Sequence, residues 1–496
     1  MLTMRQRRLP WLEIAALGVI VVIAVFLRFA SLATNPGGLY TDEATEAVSA
    51  LRLLHDPGYH PIFFPEGGGR EALFAYLVAG AFAVFGETTV VLRGTAAAIG
   101  VAGVLAIWWL GRRFGVVTAL VAAGWAAGAL WLVCISRDGM RNTLVPLFGA
   151  LALVALIAWQ RRPGRWTAIV AGAVVAVAAL YTYQPLKLLP VLAVLWLAWL
   201  RWTDGDAWRR LRPTLLPAAA SLVVVCAPML WVAVTEPIAY FGRALGVTPL
   251  NTGLAVQPLD HVLRTLGMFF VAGDPNPRHD VAALPMLGWP VALVALLGLV
   301  RLWRRRREPA HSLIGMALPV FLLPPLIAVE GGAPHFLRSL GLAAPVAVIV
   351  GLGAAELVDI ARRALGQRAV WGVAIGLAAG LVLLAAGTAT AYLERPPASL
   401  YSAYSNSLVA LADASGPGDA VILDDYDASV VRFLDARALP TILAPGERIT
   451  GLDAYRQVLS ASRDALEAVL GTEAAASAEV VARDPSGSPS VWAVTP

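Results

Sequence analysis

Apolar residues in this chain run in long blocks, separated by short stretches rich in arginine, glycine and proline. The first block, WLEIAALGVIVVIAVFLRFASLA, begins at Trp11 and contains few polar residues. A hydrocarbon core of about 30 Å takes about 20 residues of apolar helix to cross. On that measure the pattern predicts spans near 11 to 33, 91 to 110, 115 to 135, 143 to 160, 166 to 183, 186 to 201, 214 to 234, 285 to 302, 311 to 329, 336 to 357 and 370 to 391. The block EALFAYLVAGAFAVFG, 71 to 86, is too short at about 16 residues to cross upright, and is predicted as a juxtamembrane helix on the outer surface. From about 392 the hydropathy falls, and GDAVILDDYD followed by LDAYRQVLSASRDALEAVL predicts a small α/β domain over 392 to 496. The expected architecture is an α-helical polytopic membrane domain, residues 1 to 391, with about eleven spans, followed by that domain.

Composition agrees: 58% of residues are apolar and 14% are charged. The net charge of +5 does not point to nucleic acid, because the arginines are parcelled between apolar blocks. These groups are Arg5/Arg7/Arg8, Arg112/Arg113, Arg161/Arg162/Arg165, Arg201/Arg209/Arg210/Arg212, Arg301/Arg304 to Arg307, and Arg362/Arg363/Arg368. The positive-inside rule places all of them in the cytoplasm if 71 to 86 stays on the surface, with the N-terminus inside and the tail outside the cell membrane. Long outer loops then cover 34 to 90 and 235 to 284. The cysteines, Cys134 and Cys226, have neither metal-ligand spacing nor a disulfide framework.

The unusual polar residues gather in the loops expected outside. Asp42 and Glu43 stand in YTDEA, shortly after the first block. They read either as the capped first turn of a helix through EATEAVSALRLL or as acid/base carboxylates, one taking a proton from an acceptor hydroxyl. SRDGMRN supplies Arg137, Asp138 and Arg141. Guanidinium forks there suit a phosphate, and snorkelling anchors are the structural alternative. YTYQPLK carries Lys187, the chain's single lysine, which is either an interfacial anchor or a point charge for a phosphate oxygen. In EGGAPHFLR, Glu330 and His335 are candidates for a divalent metal and Arg338 for a lipid-borne phosphate. The loop GMFFVAGDPNPRHDVAALP is read as turns walling a cavity, with Asp274 and His279 as lesser candidates. No Walker A, dinucleotide-binding, HExxH or paired CxxC pattern occurs, so energy for a reaction must arrive with the substrate.

YTDEA, FGETTVVLRGTAAAIGV, ISRDGMRN, YTYQPLKLLPV and APHFLRSLGLAAPV together resemble the GT-C superfamily of polytopic glycosyltransferases, in its ArnT-like and protein O-mannosyltransferase-like branch. The likeness covers about residues 10 to 390. It implies a GT-C fold and transfer of a sugar from a polyprenyl-phosphate carrier to a lipid, protein or glycan acceptor on the outer face, with inversion. Carried onto this chain, it makes Asp42 the base and Glu43 its support, and puts the second acidic site near Asp138. The carrier-phosphate contacts fall among Arg137, Arg141, Lys187 and Arg338. Two departures stand out: PEGGGREAL replaces the His-Pro-Pro stretch of many relatives, and Lys187 stands where an arginine is expected. A divalent metal is the one cofactor left open. A transporter or flippase of a lipid-linked saccharide is the competing reading. It would call for repeated halves with broken helices or for ionisable residues at the bilayer midplane.

Overall fold

A computed structural model describes residues 11–248, 257–435, 439–447, 449 and 451–496. The Arg5/Arg7/Arg8 group and residues 249 to 256 of the second long loop lie outside the described residues. Helices stand at all eleven expected places. Eight of them are long and apolar enough to cross a membrane, nine if Val116–Gly128 and Leu130–Arg137, bent by 58° at their junction, form one span. Arg165–Leu180, at 16 residues, and Gly288–Arg304, at 17, fall below the usual spanning length. The segment expected on the surface forms a 13-residue helix, Leu73–Phe85. The chain is therefore a multi-pass helical membrane protein.

The described chain divides into two compact units. One contains the first span up to Ala30, Pro61–Phe74 and Ala96–Tyr392. Its helices approach closely through small residues, since without water between helices it is van der Waals contact that holds them. A Cβ on Gly298 would stand 1.9 Å from the Ile349 carbonyl oxygen, and one on Gly351 would stand 2.3 Å from that of Thr118. Ion pairs brace one helix end: Arg301 reaches Glu356 at 3.0 Å and Asp359 at 2.6 Å.

The other unit contains Ser31–His60, Ala75–Thr95 and Leu393–Pro496. Its five-stranded sheet runs in the order Thr441–Leu443, Ala420–Ile422, Val458–Ser460, Pro489–Val494, Glu479–Arg483. The first three strands are parallel and the remaining pairings antiparallel. Ala420, Ile422, Val458, Leu466, Val469 and Val494 form its core. The tail does not stand alone, as the expected boundary at 391/392 implied. Helix Thr41–His55, from the first loop, packs on helix Ala428–Leu434 of the tail, and Phe82 stacks on Phe433 with ring centres 5.9 Å apart.

Candidate active site

The two adjacent carboxylates have different surroundings. Successive residues on an α-helix point about 100° apart, so neighbours in the first turn of Thr41–His55 face different partners. Glu43 turns inward and is fully buried. Arg93 grips it with both arms, Nε donating to Oε1 at 2.9 Å and Nη2 to Oε2 at 2.8 Å. The Tyr40 backbone N–H donates to Oε2 as well, at 3.1 Å. Arg93 also donates to the Gly37 and Gly38 carbonyls, at 3.2 and 3.0 Å. Gly38 adopts φ +48°, and a Cβ there would lie 2.2 Å from the Tyr404 carbonyl oxygen, so the turn that aims these carbonyls needs glycine.

Asp42 is only half-buried. Its Oδ1 accepts a hydrogen bond at 2.9 Å from the hydroxyl of Tyr426, in the DDYD stretch of the tail, and no other side chain among the described residues bonds it. Burial and the Asp42 charge push the Tyr426 phenol far above its usual range, which keeps it a donor. Beside it, Thr41 donates through its hydroxyl to Asp427 at 3.1 Å. Burial and the neighbouring Asp424 charge raise the Asp427 carboxyl, against the Thr41 bond. Both carboxylates lie at a helix N-terminus, where the dipole favours negative charge.

In the other unit a second polar cluster centres on Glu71, which the sequence reading passed over. Glu71 sits in a short strand paired with Phe63–Phe64 and is 1% exposed. Arg141 Nε stands 3.3 Å from one carboxylate oxygen and Lys187 Nζ 3.4 Å from the other. Tyr183 covers Arg141 and Tyr240 covers Lys187, at 5.4 and 4.6 Å from the ring centres. Burial, then the Glu71 charge, pushes the Tyr240 phenol up to about 12. Lys187 keeps 21% of its side chain exposed, so its ammonium can still meet an anion.

The remaining candidates are dispersed. Arg137 is fully buried and donates to the carbonyls of Leu27 and Ala30 at 2.9 and 2.8 Å, under the ring of Tyr392 at 4.5 Å. It thereby caps the C-terminal end of the first span. Asp138 is buried at the end of helix Leu130–Arg137. Arg338 donates to the Ala328 carbonyl at 3.0 Å and faces the exposed Glu330 at 3.8 Å. His335 does not meet Glu330, its expected companion. It stands with Asp274 and His279, and one ligand atom from each lies within 4.8 Å of the others. Asp274 Oδ2 accepts from His279 Nδ1 at 2.8 Å and from the Phe336 N–H at 2.7 Å. Burial pushes His335 down to about 3, with Arg338 adding to the effect. It also lowers His279, against the Asp274 bond.

Arg93, Glu71 and Tyr426 carry much of this geometry. Two of them had signals in the sequence: an arginine inside an apolar block, FGETTVVLRGT, and a glutamate in PEGGGREAL. Tyr426, in a tail with no motif of its own, had none.

A family model described as dolichyl-phosphate-mannose-protein mannosyltransferase matches residues 71–231. The fold is similar to that of ArnT from Cupriavidus metallidurans bound to undecaprenyl phosphate, with a TM-score of 0.60 at 14% identity over 97% of this chain and 98% of that one. It is also similar to ArnT from the same organism in the apo state, with a TM-score of 0.52, 14% identity and 97% of each chain covered. Among curated proteins none matches the sequence. The chain is thus a polytopic membrane protein with the GT-C fold, in line with the resemblance read from its motifs.

Proposed function

We propose that this protein is a membrane glycosyltransferase that moves a sugar from a polyprenyl-phosphate carrier to an acceptor hydroxyl on the outer face of the cell membrane, with Asp42 as general base. The observation that carries the reading is the division of labour within the carboxylate pair. Glu43 spends both oxygens on Arg93, whereas Asp42 keeps a half-buried carboxylate whose one side-chain partner among the described residues is the hydroxyl of Tyr426. A phenol donating to a carboxylate is the interaction an acceptor hydroxyl must make before it loses its proton. The fold shared with an ArnT solved with undecaprenyl phosphate, and a family model whose description names a dolichyl-phosphate sugar, support a lipid-linked donor.

In the proposed reaction Asp42 takes the acceptor proton as the acceptor oxygen forms its bond to the anomeric carbon. The bond from that carbon to the carrier phosphate breaks, the phosphate leaves on its polyprenol, and the configuration inverts. Glu43 holds the first turn of the helix in place through Arg93. The carrier phosphate is assigned to Lys187 and Arg141, two cations brought side by side at Glu71, of which the guanidinium offers a fork and the ammonium a point charge to phosphate oxygens. Arg137, occupied with carbonyls, serves the structure instead, and Arg338 is a weaker candidate for the same reason.

Purified protein given radiolabelled sugar on polyprenyl phosphate, or on a nucleoside diphosphate, tests the donor class. The reading expects label transfer, with release of polyprenyl phosphate, from the lipid donor alone. Transfer from the nucleotide sugar alone would refute it.

A further inference from the structure

We propose that Asp274, His279 and His335 form a binding site for one zinc-like divalent cation, joining the loop ahead of helix Gly288–Arg304 to the segment that enters helix Phe336–Ser339. The site does not depend on the reaction proposed above.

The plain alternative is that Asp274 ties its loop together by hydrogen bonds. Its Oδ1 does accept from the Asn276 N–H at 2.9 Å, and its Oδ2 accepts from His279 and Phe336. That account leaves His335 unexplained. Its Nδ1 is buried, stands 4.0 Å from Asp274 Oδ2 and makes no hydrogen bond among the described residues. A buried polar nitrogen without a partner is uncommon and points to something that fills the place. Its ring leans on that of His279, with centres 5.1 Å apart.

The donor set and its spacing suit zinc. In a tetrahedral site with bonds of about 2.0–2.1 Å, ligand atoms lie about 3.3 Å apart. The separations of 2.8 Å and 4.0 Å from Asp274 Oδ2 to the two imidazole nitrogens bracket that value, so small side-chain rotations bring all three ligands to one ion. Two imidazoles and one carboxylate favour zinc over calcium or magnesium, which take oxygen ligands. On binding, the cation takes the place of the proton that His279 Nδ1 shares with Asp274, and that imidazole carries its proton on Nε2 instead. The backbone N–H groups of Asn276 and Phe336 orient the carboxylate as an outer shell does in metal sites. Arg278 and Arg338, close enough to lower these histidines further, oppose a cation, and the Asp274 charge offsets part of that. Three protein ligands leave one position for water.

The loop is already closed on itself by backbone bonds, from the Met286 N–H to the Met268 carbonyl at 2.8 Å and from the Gly273 N–H to the Ala283 carbonyl at 2.7 Å. The cation would add a link to a segment distant in sequence.

The test uses full-length protein in detergent, with zinc content by mass spectrometry and affinity by competition against a chromophoric chelator. Wild type is expected to bind one equivalent. His335→Ala, which breaks no hydrogen bond at Nδ1, is expected to weaken binding by at least about a hundredfold, while Glu330→Ala leaves it unchanged. If His335→Ala does not fold, cobalt titration of wild type decides, since one equivalent must give the strong visible absorption of a tetrahedral site. Equal zinc in wild type and His335→Ala, or less than a tenth of an equivalent in wild type, would overturn the proposal. So would a cobalt spectrum without tetrahedral bands.

Discussion

Removing Arg93 should release the turn that carries the candidate base. Glu43 is fully buried and Arg93 has 2% of its side chain exposed, so neither charge has water to fall back on. In Arg93→Ala the carboxylate keeps the Tyr40 N–H and loses two charge-assisted bonds, while the Gly37 and Gly38 carbonyls lose their donor. Breaking one side of a buried pair costs about 3–5 kcal/mol, and a factor of ten in an equilibrium corresponds to about 1.4 kcal/mol. Local opening of the first turns of Thr41–His55 should therefore become between about a hundredfold and a few thousandfold more frequent. Hydrogen–deuterium exchange of the peptide covering 39 to 50 reads this directly, and the peptide covering Ala343–Leu365, in the other unit, serves as control. The double variant Arg93→Met/Glu43→Leu should recover much of the protection, because it removes both charges and leaves apolar volume in their place. Exchange in Arg93→Ala within threefold of wild type would refute the argument. A double variant as destabilised as the sum of the single ones would also do so.

Lys187→Ala should raise the KM for the lipid-linked donor about tenfold or more and leave kcat at saturating donor near wild type, as steady-state kinetics over carrier concentration would reveal. Tyr426→Phe removes the hydroxyl that donates to Asp42. A bond to a charged group contributes about 1.5–3 kcal/mol when shielded, and Tyr426 is 42% exposed, so the expected loss is about tenfold in kcat with the donor KM unchanged. In the tail, Asp419 is 1% exposed and accepts from Arg456 at 3.0 and 2.9 Å and from the Gly416 N–H at 2.9 Å. Burial would raise its carboxyl, but the bonds from Arg456 and Gln457 outweigh burial and hold it below the usual range. Its contribution is thus present above an unfolded carboxylate's pKa of about 3.9 and is lost as pH falls through the lowered folded value. Asp419→Asn should make the tail susceptible to proteolysis at neutral pH, and resistance equal to wild type would count against this account.

The membrane portion was legible because its signal is one of length and hydropathy, which a bilayer imposes on each helix separately. The bend at Ala129 and the short helix Arg165–Leu180 were not legible, since the apolar run continues through both places without a break. Asp42 and Glu43 stood out in the sequence as a pair, but their separation into an open and a committed carboxylate depends on Arg93, fifty residues on. The tail holds helices and a five-stranded sheet, yet nothing in DDYDAS announced that its tyrosine reaches Asp42. His335 was singled out with the wrong companion. Sequence nearness suggested Glu330, while the fold brings Asp274 from another loop.

The most direct test of the central claim is transfer of radiolabelled sugar from polyprenyl phosphate by wild type and by Asp42→Asn, in membranes with matched expression and matched exchange protection of Thr41–His55. The substitution removes the charge and almost no volume, and general-base catalysis is worth about 10²–10⁴-fold. The account predicts a loss of at least a hundredfold with donor binding retained. Transfer at the wild-type rate would contradict Asp42 as the base.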